Sequence, residues 1–228
     1  MKKILFFIMT ILFAFCEKID YMNLDLKYYP YIMFYEKFSD EEIAQLIEDV
    51  DRGEKKTGVF LGVITGGFDG DLGGSAYKQY FSYGSNQSSS PSFSYGIKLG
   101  YQSFLPSFLE RLSYPGMLGT RAYVQYLSML PTTTLFGKER MSSIMLAWDL
   151  LLDIPVVKNF DAGVIFGVAA GNMVYQNNAD SSFSFMANFG IGVSLFGHNR
   201  IDFELKIFTN SMLDWFGAFY GVGYNYVF

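Results

Sequence analysis

Seven charged residues share one face of the predicted β-strands, and they are the part of the sequence best suited to chemistry. Three are basic and four are acidic, so the set sums to −1 at neutral pH. Such a set predicts either an ion-pair network inside the protein or a lining that selects ions. We expect the network, because an unpaired charge in a narrow space is costly. The seven are Lys98, Arg121, Asp149, Asp153, Asp202, Glu204 and Lys206.

Patterns typical of enzymes and metal sites are weak. The single histidine, His198, lies in the turn Gly197-His198-Asn199, and we expect it to be an exposed turn residue. A serine nucleophile would need a histidine beside it. The acidic pair in Asp69-Gly70-Asp71 predicts a flexible turn rather than a calcium site, and Gly73-Gly74 lacks the lysine and helix of a phosphate loop. The sequence therefore predicts no catalytic residue, no metal ion and no cofactor.

Composition narrows the fold class. The chain has 228 residues, a net charge of −5 and no basic cluster among its 17 Lys and Arg, which argues against nucleic acid as a partner. Aromatic residues make up 19%, with 24 Phe and 17 Tyr. No interior run reaches the roughly 18 uncharged apolar residues of a membrane-spanning helix. A large soluble core and a closed barrel remain as candidates.

From residue 57 onward, apolar residues alternate with small or polar ones at a period of two, which is typical of strands. The alternation predicts eight strands, at residues 58–64, 93–101, 118–126, 143–154, 163–170, 183–195, 201–207 and 216–228. The apolar face has no charged residue. An eight-stranded barrel has room inside for only a limited volume of side chains. The apolar rows must therefore face lipid, which predicts an all-β, eight-stranded, antiparallel up-and-down transmembrane barrel over residues 57–228.

The connections indicate how this barrel would be oriented. With the N-terminus in the periplasm, the outer loops are residues 69–92, 131–141, 172–182 and 209–215, and the inner turns are 102–116, 155–160 and 197–199. Long outer loops and short inner turns are typical of outer-membrane barrels. The first inner connection, residues 102–116, is longer than this pattern predicts.

The C-terminal strand ends on Phe228, with Tyr226 and Tyr224 two and four residues earlier and Gly223 five residues earlier. This ending resembles the C-terminal signal by which the assembly machinery recognises bacterial outer-membrane barrels. We therefore expect Gly223, Tyr224, Tyr226 and Phe228 to form that signal.

Three groups of motifs resemble the Helicobacter outer membrane protein family, over residues 57–228. The first pairs Gly100-Tyr101-Gln102-Ser103-Phe104 with Gly119-Thr120-Arg121-Ala122-Tyr123. The second joins Asn188-Phe189-Gly190 to Gly197-His198-Asn199-Arg200-Ile201-Asp202-Phe203 and Lys206-Ile207, and the third is Tyr224-Asn225-Tyr226-Val227-Phe228. The resemblance implies an outer-membrane barrel, in a family that includes surface adhesins and porin-like proteins.

Two segments precede the predicted barrel. Residues 1–16 have the form of a signal peptide, with Lys2 and Lys3 before an apolar run and small residues Ala14 and Cys16 before Glu17. A lipoprotein signal with Cys16 as the lipidated residue is the alternative, although bulky Phe15 disfavours it. Cys16 is the only cysteine, so no disulfide framework is expected.

Residues 17–56 form a predicted N-terminal periplasmic extension with one short helix. Ser39 and Glu42 match a capping box, and Gly53 is the predicted end of the helix. We expect its apolar face to lie under the barrel, the alternative being a docking helix or plug. The apolar positions are Ile43, Leu46, Ile47 and Val50.

The sequence therefore predicts a non-catalytic protein of the cell outer membrane with a structural or surface-interaction role. The alternatives are a porin-like channel for small solutes and, less favoured, an enzyme that modifies outer-membrane lipid. Outer-membrane lipid and the barrel assembly machinery are the expected partners, together with a host or surface ligand bound through the outer loops.

Overall fold

The computed structural model describes residues 25–28, 39–73, 92–104, 116–130, 141–175, 180–210 and 215–228. The predicted signal peptide with Cys16 lies outside these residues, as do most of the predicted 102–116 connection and most of the first two outer loops. Within the described ranges, no helix is both long and apolar enough to cross a membrane. Contacts divide the chain into two compact units, Met1–Val50 and Asp51–Phe228.

In the first unit, a short 3-10 helix, Leu26–Tyr28, precedes helix α1, Asp40–Lys55, which continues into the second unit. The predicted capping box is confirmed. The Glu42 amide donates to Ser39 Oγ at 3.3 Å, and the Ser39 amide donates to Glu42 Oε2 at 2.8 Å. The predicted helix end at Gly53 is wrong by two residues, because α1 continues to Lys55 and the Gly53 carbonyl accepts a bond from Thr57 Oγ1 at 2.8 Å.

The second unit contains a closed antiparallel barrel in which the eight strands pair in sequence order and β1 pairs with β8. The predicted fold class is therefore confirmed. The strands are β1 Gly58–Gly73, β2 Ser92–Ser103, β3 Leu118–Leu130, β4 Met141–Val157, β5 Phe160–Tyr175, β6 Asp180–Leu195, β7 Asn199–Asn210 and β8 Trp215–Val227.

The two faces of the strands also match the sequence pattern. Along β4, Leu146 is 67% exposed, whereas its neighbours Met145 and Ala147 are almost fully buried. The same alternation runs through β7, where Phe203 and Leu205 face outward and Glu204 and Lys206 face the lumen. Because side chains alternate across a strand, Glu204 and Lys206 are each directly next to an outward apolar side chain.

The strands are longer than the periodicity predicted, and this corrects several boundaries. β1 continues to Gly73, so the Asp69-Gly70-Asp71 segment that was predicted to be a turn belongs to a strand. The connection predicted at 155–160 shrinks to the two-residue turn 158–159, in which Asn159 has a positive φ of 64°. β5 likewise extends from Phe160 to Tyr175 rather than from 163 to 170. Gly, Pro and polar residues inside a strand weaken the alternation without breaking the backbone ladder.

We define the turn end of the barrel as the end with turns 158–159 and 196–198, where β1 begins and β8 finishes. The opposite end is the loop end. Buried side chains line the interior of the described barrel, with the charged ones toward the turn end and a large apolar cluster toward the loop end.

Candidate functional site

The structure places all seven predicted charged residues in the barrel interior, where each is 3% exposed or less. Three further buried ionisable residues join them, which makes five basic and five acidic groups and a formal sum of zero rather than −1. We call these ten residues the lumen charge network. Its members are Lys56, Lys98, Arg121, Asp149, Asp153, Asp161, Arg200, Asp202, Glu204 and Lys206.

Seven of the ten form one chain of alternating sign. Arg121 donates from Nε to Asp149 Oδ2 and from Nη1 to Asp202 Oδ2, both at 2.7 Å. Asp202 Oδ1 accepts from Arg200 Nε, also at 2.7 Å. Strands β3, β4 and β7 are therefore tied together across the lumen by charge-assisted hydrogen bonds, which are roughly twice as strong as neutral ones.

The chain continues toward the turn end. Arg200 Nη1 donates to both oxygens of Asp153 at 2.8 Å, and Lys56 Nζ lies 3.1 Å from Asp153 Oδ2 and 2.6 Å from Asp161 Oδ2. Arg52 approaches Asp161 at 4.0 Å from the partly exposed rim. The seven groups have formal charges that sum to −1. In the order of their contacts, they are Asp149, Arg121, Asp202, Arg200, Asp153, Lys56 and Asp161.

Lys56 reaches the lumen because the chain passes directly from α1 into β1. The Lys56 amide donates to the Arg52 carbonyl at 3.3 Å, and the Lys56 carbonyl accepts from Gln102 Nε2 at 2.7 Å. Its ammonium also donates to the Gly116 carbonyl at 3.1 Å and lies 4.6 Å from the centre of the Phe104 ring. These contacts fix the start of β1 across the turn end of the lumen.

The remaining three members form a separate group, which we call the lysine–glutamate triad. Glu204 forms ion pairs with Lys98 and with Lys206, the latter at 2.5 Å from Oε2. The nearest contact to the alternating chain is from Arg121 Nη2 to Glu204 Oε1, at 3.7 Å. The triad sums to +1, which offsets the −1 of the alternating chain.

Glycines on the lumen face make room for the carboxylates. Gly167 pairs with Asp149 and Gly163 pairs with Asp153 on the neighbouring strand. A Cβ added at either glycine would overlap the Oδ1 atom of its partner. Glycine at these positions therefore serves close approach, not a turn.

Toward the loop end, the lumen is packed with apolar side chains, which we call the loop-end core. Five methionines dominate it, and unbranched methionine fills irregular gaps well. Phe68 and Phe208 meet edge to face with ring centroids 6.0 Å apart. The members are Phe68, Leu127, Met129, Met141, Met145, Met173, Met186 and Phe208.

The sequence prediction missed Asp161 and Arg200 because the predicted fifth and seventh strands were too short, and it missed Lys56 because that residue lies in the turn between α1 and β1. Arg200 has the same parity as Asp202, and Asp161 has the same parity as Gly163. Extending the fifth strand by two residues and the seventh by one would have identified both Asp161 and Arg200, whereas Lys56 lies before β1.

His198 is not the exposed turn residue that was expected. Its ring is partly buried and stacks on Tyr226, with centroids 6.1 Å apart and an interplanar angle of 25°. Nδ1 lies 3.1 Å from the Val227 carbonyl, which can only accept, so Nδ1 is the donor. The turn thus contacts the final strand through this side chain and through the His198 carbonyl, which accepts from the Val227 amide at 2.8 Å.

The predicted C-terminal signal residues lie on both faces of β8. Tyr224, Tyr226 and Phe228 point outward, and Phe228 is 70% exposed, whereas Gly223 faces the lumen. The Phe228 amide donates to the Val59 carbonyl at 2.9 Å, so the pairing of β8 with β1 includes the last residue.

The contacts in the lumen are suited to stabilising the barrel rather than to catalysing a reaction. The carboxylates of the alternating chain each contact at least one cationic group, so they are held as ion-pair partners rather than as free bases. Within the described ranges, no group of three or more His, Cys, Asp or Glu side chains is arranged to hold a metal ion.

Comparison with models of known protein families gives no match, and comparison with curated protein sequences gives none either. Solved structures give distant matches. Neisserial surface protein A is 13% identical with a TM-score of 0.46, covering 76% of this chain and 97% of that one. The attachment invasion locus protein Ail of Yersinia pestis is 9% identical with a TM-score of 0.39, covering 75% and 97%. The N-terminal β-barrel domain of Pseudomonas aeruginosa OprF is 13% identical with a TM-score of 0.36, covering 75% and 99%. These values are too low to transfer a role.

Proposed function

We propose that the chain is a bacterial outer-membrane barrel protein with a structural or surface-interaction role and no catalytic activity. The observation that supports this most is that the apolar and charged faces of the barrel are the reverse of those in a water-soluble barrel. Its outward face is apolar, with side chains such as Ile191 and Val168 each 60% exposed, while its interior holds the charges. A barrel in water would present the opposite arrangement, because burying charge and exposing apolar area both cost free energy.

Strand length agrees with a membrane location. The strands have 12 to 17 residues, and a tilted strand needs about 9–11 residues to cross the hydrocarbon core. Between Val59 and Gly67 of β1, and along the described outward positions of the other strands, no charged side chain interrupts the apolar belt. Outer-membrane lipid is thus the proposed partner of this surface.

The packed lumen favours a structural role over a porin-like channel. The alternating chain spans the interior at the turn end, and the loop-end core fills the remaining length. Eight-stranded barrels have an interior just wide enough for side chains, whereas aqueous porins have 16 or more strands. A lipid-modifying role is less favoured, since the His198 ring is engaged by Tyr226 and Val227.

Membership of the Helicobacter outer membrane protein family remains part of this proposal. It is supported by the order of the motifs along the barrel. The Asn188-Phe189-Gly190 segment lies in β6, and the motif that begins at Gly197 forms the following turn and the start of β7. A surface ligand would then bind through the connections at the loop end, which we propose to face the cell exterior.

Deletion of Phe228 tests the proposed location and the C-terminal signal together. We expect the truncated chain to reach the periplasm but to insert poorly, measured by immunoblotting of separated outer-membrane and periplasmic fractions. Phe196→Ala is the matched control, because it removes a 65% exposed aromatic from a turn and leaves the terminus intact. Normal insertion of the truncated chain would count against the signal, and absence of the intact protein from the outer membrane would count against the location.

A further inference from the structure

Phe196 has a backbone conformation that bulky residues rarely adopt. Its φ is 55°, and the only other non-glycine residue with a positive φ in the described part of the chain is Asn159, at 64°. Asparagine adopts this left-handed conformation at little cost, whereas a bulky side chain is strained there. The two residues lie in neighbouring turns, because the Phe196 amide donates to the Asn159 carbonyl at 2.9 Å. Phenylalanine therefore occupies a position at which asparagine would form the turn more easily.

The fold gains little from the Phe196 side chain. The side chain is 65% exposed, so packing inside the barrel does not offset the strain of its backbone. Strained residues persist where the strain serves a function. We therefore looked for a contact that this ring could make outside the folded chain.

Two exposed valines lie on the neighbouring hairpin. Val156 and Val157, at the end of β4, are 58% and 64% exposed, and turn 158–159 follows them. We call Val156, Val157 and Phe196 the turn-end apolar patch. Val156 lies two residues beyond Ile154, an outward residue of β4, so it extends the outward row of that strand. The patch is thus continuous with the surface that we propose to meet lipid.

Lys158 places a cation beside the patch. It follows Val157 directly and is exposed. A lysine at the edge of a bilayer can cover apolar surface with its aliphatic stem while its ammonium reaches the polar headgroups. Exposing apolar area to water costs free energy. Apolar side chains flanked by a cation therefore fit the boundary between acyl chains and headgroups better than they fit water.

We propose that the turn-end apolar patch inserts at the boundary between the acyl chains and the headgroups of the lipid leaflet at the turn end, with Phe196 as its anchor. Contact with lipid then offsets the strain of the Phe196 backbone. The inference rests on the proposed outer-membrane location and extends the lipid contact from the strands to two turns. The anchor acts on the finished barrel and not on the C-terminal signal, so Phe196→Ala should still be inserted by the cell.

Quenching by brominated lipids measures the depth of residue 196. Phe196→Trp would be combined with Trp148→Phe and Trp215→Phe, and the protein refolded into phosphatidylcholine vesicles whose chains are brominated near the headgroups or near the chain ends. We expect stronger quenching by bromine near the headgroups and weak quenching by acrylamide in the water. Glu54→Trp in the same background is the control, because Glu54 is exposed just before β1 begins at the turn end. It should be quenched by acrylamide and not by lipid.

Trp148 separates the anchor from the membrane location. It is exposed on the outward face of β4, so in Trp215→Phe with Phe196 intact it should be quenched by brominated lipid at whatever depth the turns lie. If Trp148 is quenched by lipid while residue 196 is as open to acrylamide as residue 54, the anchor is overturned, the location stands, and a protein partner is favoured for the patch. If brominated lipid leaves Trp148 unquenched, the location is overturned and the anchor with it.

Urea unfolding in the same vesicles gives a second test, in which a turn without a lipid contact would respond with the opposite sign. Phe196→Asn relieves the backbone strain, because asparagine tolerates the left-handed conformation. Without a lipid contact, the urea midpoint should rise. We expect it to fall, because the lost lipid contact outweighs the relief, and we expect Phe196→Tyr, which keeps an aromatic ring, to preserve it. A raised midpoint in Phe196→Asn, or equal losses in the two variants, would overturn the proposal.

Discussion

At the turn end of the lumen, Arg121 is held by Asp149 and Asp202 at 2.7 Å, while at the loop end Met141 and Met145 are packed in an apolar cluster. Both regions exclude solvent, and both join strands that are distant in sequence. The two regions differ in how strictly the positions of their side chains are constrained. An ion pair loses its value when a partner moves or disappears, whereas a methionine can change rotamer to fill a changed space.

The two halves of the lumen therefore have different roles in the fold. The turn end contains directional contacts among β3, β4, β7 and the start of β1, so it fixes which strands face one another. The loop end supplies apolar burial without fixing partners. Substitutions at the turn end should therefore cost more stability than substitutions of similar size at the loop end.

Arg121→Met should have the largest effect. It leaves Asp149 and Asp202 with less compensation in a buried setting, and breaking a buried ion pair costs about 3–5 kcal/mol. The free energy of unfolding would be measured by urea titration in detergent, followed by tryptophan fluorescence.

The matched control at the loop end is Met145→Leu. A volume-conserving apolar exchange usually costs less than about 1.5 kcal/mol. If both variants lost the same free energy of unfolding, the proposed difference between the two halves of the lumen would be wrong. That difference requires the charged half to lose more stability on substitution.

Leu205→Arg should have the next largest effect. Leu205 faces outward and its neighbour Lys206 faces the lumen. An arginine on the lipid face near the bilayer midplane costs about 2–4 kcal/mol, so folding into vesicles should be impaired far more than in Lys206→Arg. Similar folding yields for the two variants on a heat-modifiability gel would mean that the outward face does not meet lipid.

Gly167→Ala should have a smaller but measurable effect. The added Cβ would overlap Asp149 Oδ1, and overpacking of this kind costs about 1–3 kcal/mol. Gly223→Ala is the control, because its Cβ would lie 3.3 Å from Glu204 Oε1 and 3.6 Å from Lys98 Nζ. If Gly223→Ala lowered the urea midpoint as much as Gly167→Ala, the close fit around Asp149 would not be the cause.

The sequence was sufficient to predict the barrel, the strand number and the face of each strand. Alternation of side chains is local, and it remains visible in β4 and β7 even where single positions deviate. The sequence was poor at strand ends, where Asp161 and Arg200 were left outside the predicted strands. Alternation fades there because glycine, proline and turn residues interrupt it.

Pairing within the network could be predicted only in outline. Parity places Lys98, Arg121 and Lys206 in the lumen, but which carboxylate each one meets depends on register and strand stagger. Glu204 contacts Lys98 because β7 lies across the lumen from β2, a relation between strands that local periodicity does not contain. Its contact with Lys206 is local, because the two residues are two positions apart on the same face of β7. The contact between His198 and β8 depends in the same way on the turn that joins β6 to β7.

Conductance of the purified monomer in a planar lipid bilayer tests the closed lumen most directly. The charged half and the apolar half together fill the barrel, so we predict little or no stable ion current at any holding potential. The same measurement on Arg121→Met would report whether loosening the turn end opens a path. Large, steady single-channel currents from the intact monomer would contradict the packed lumen and would favour the porin-like alternative.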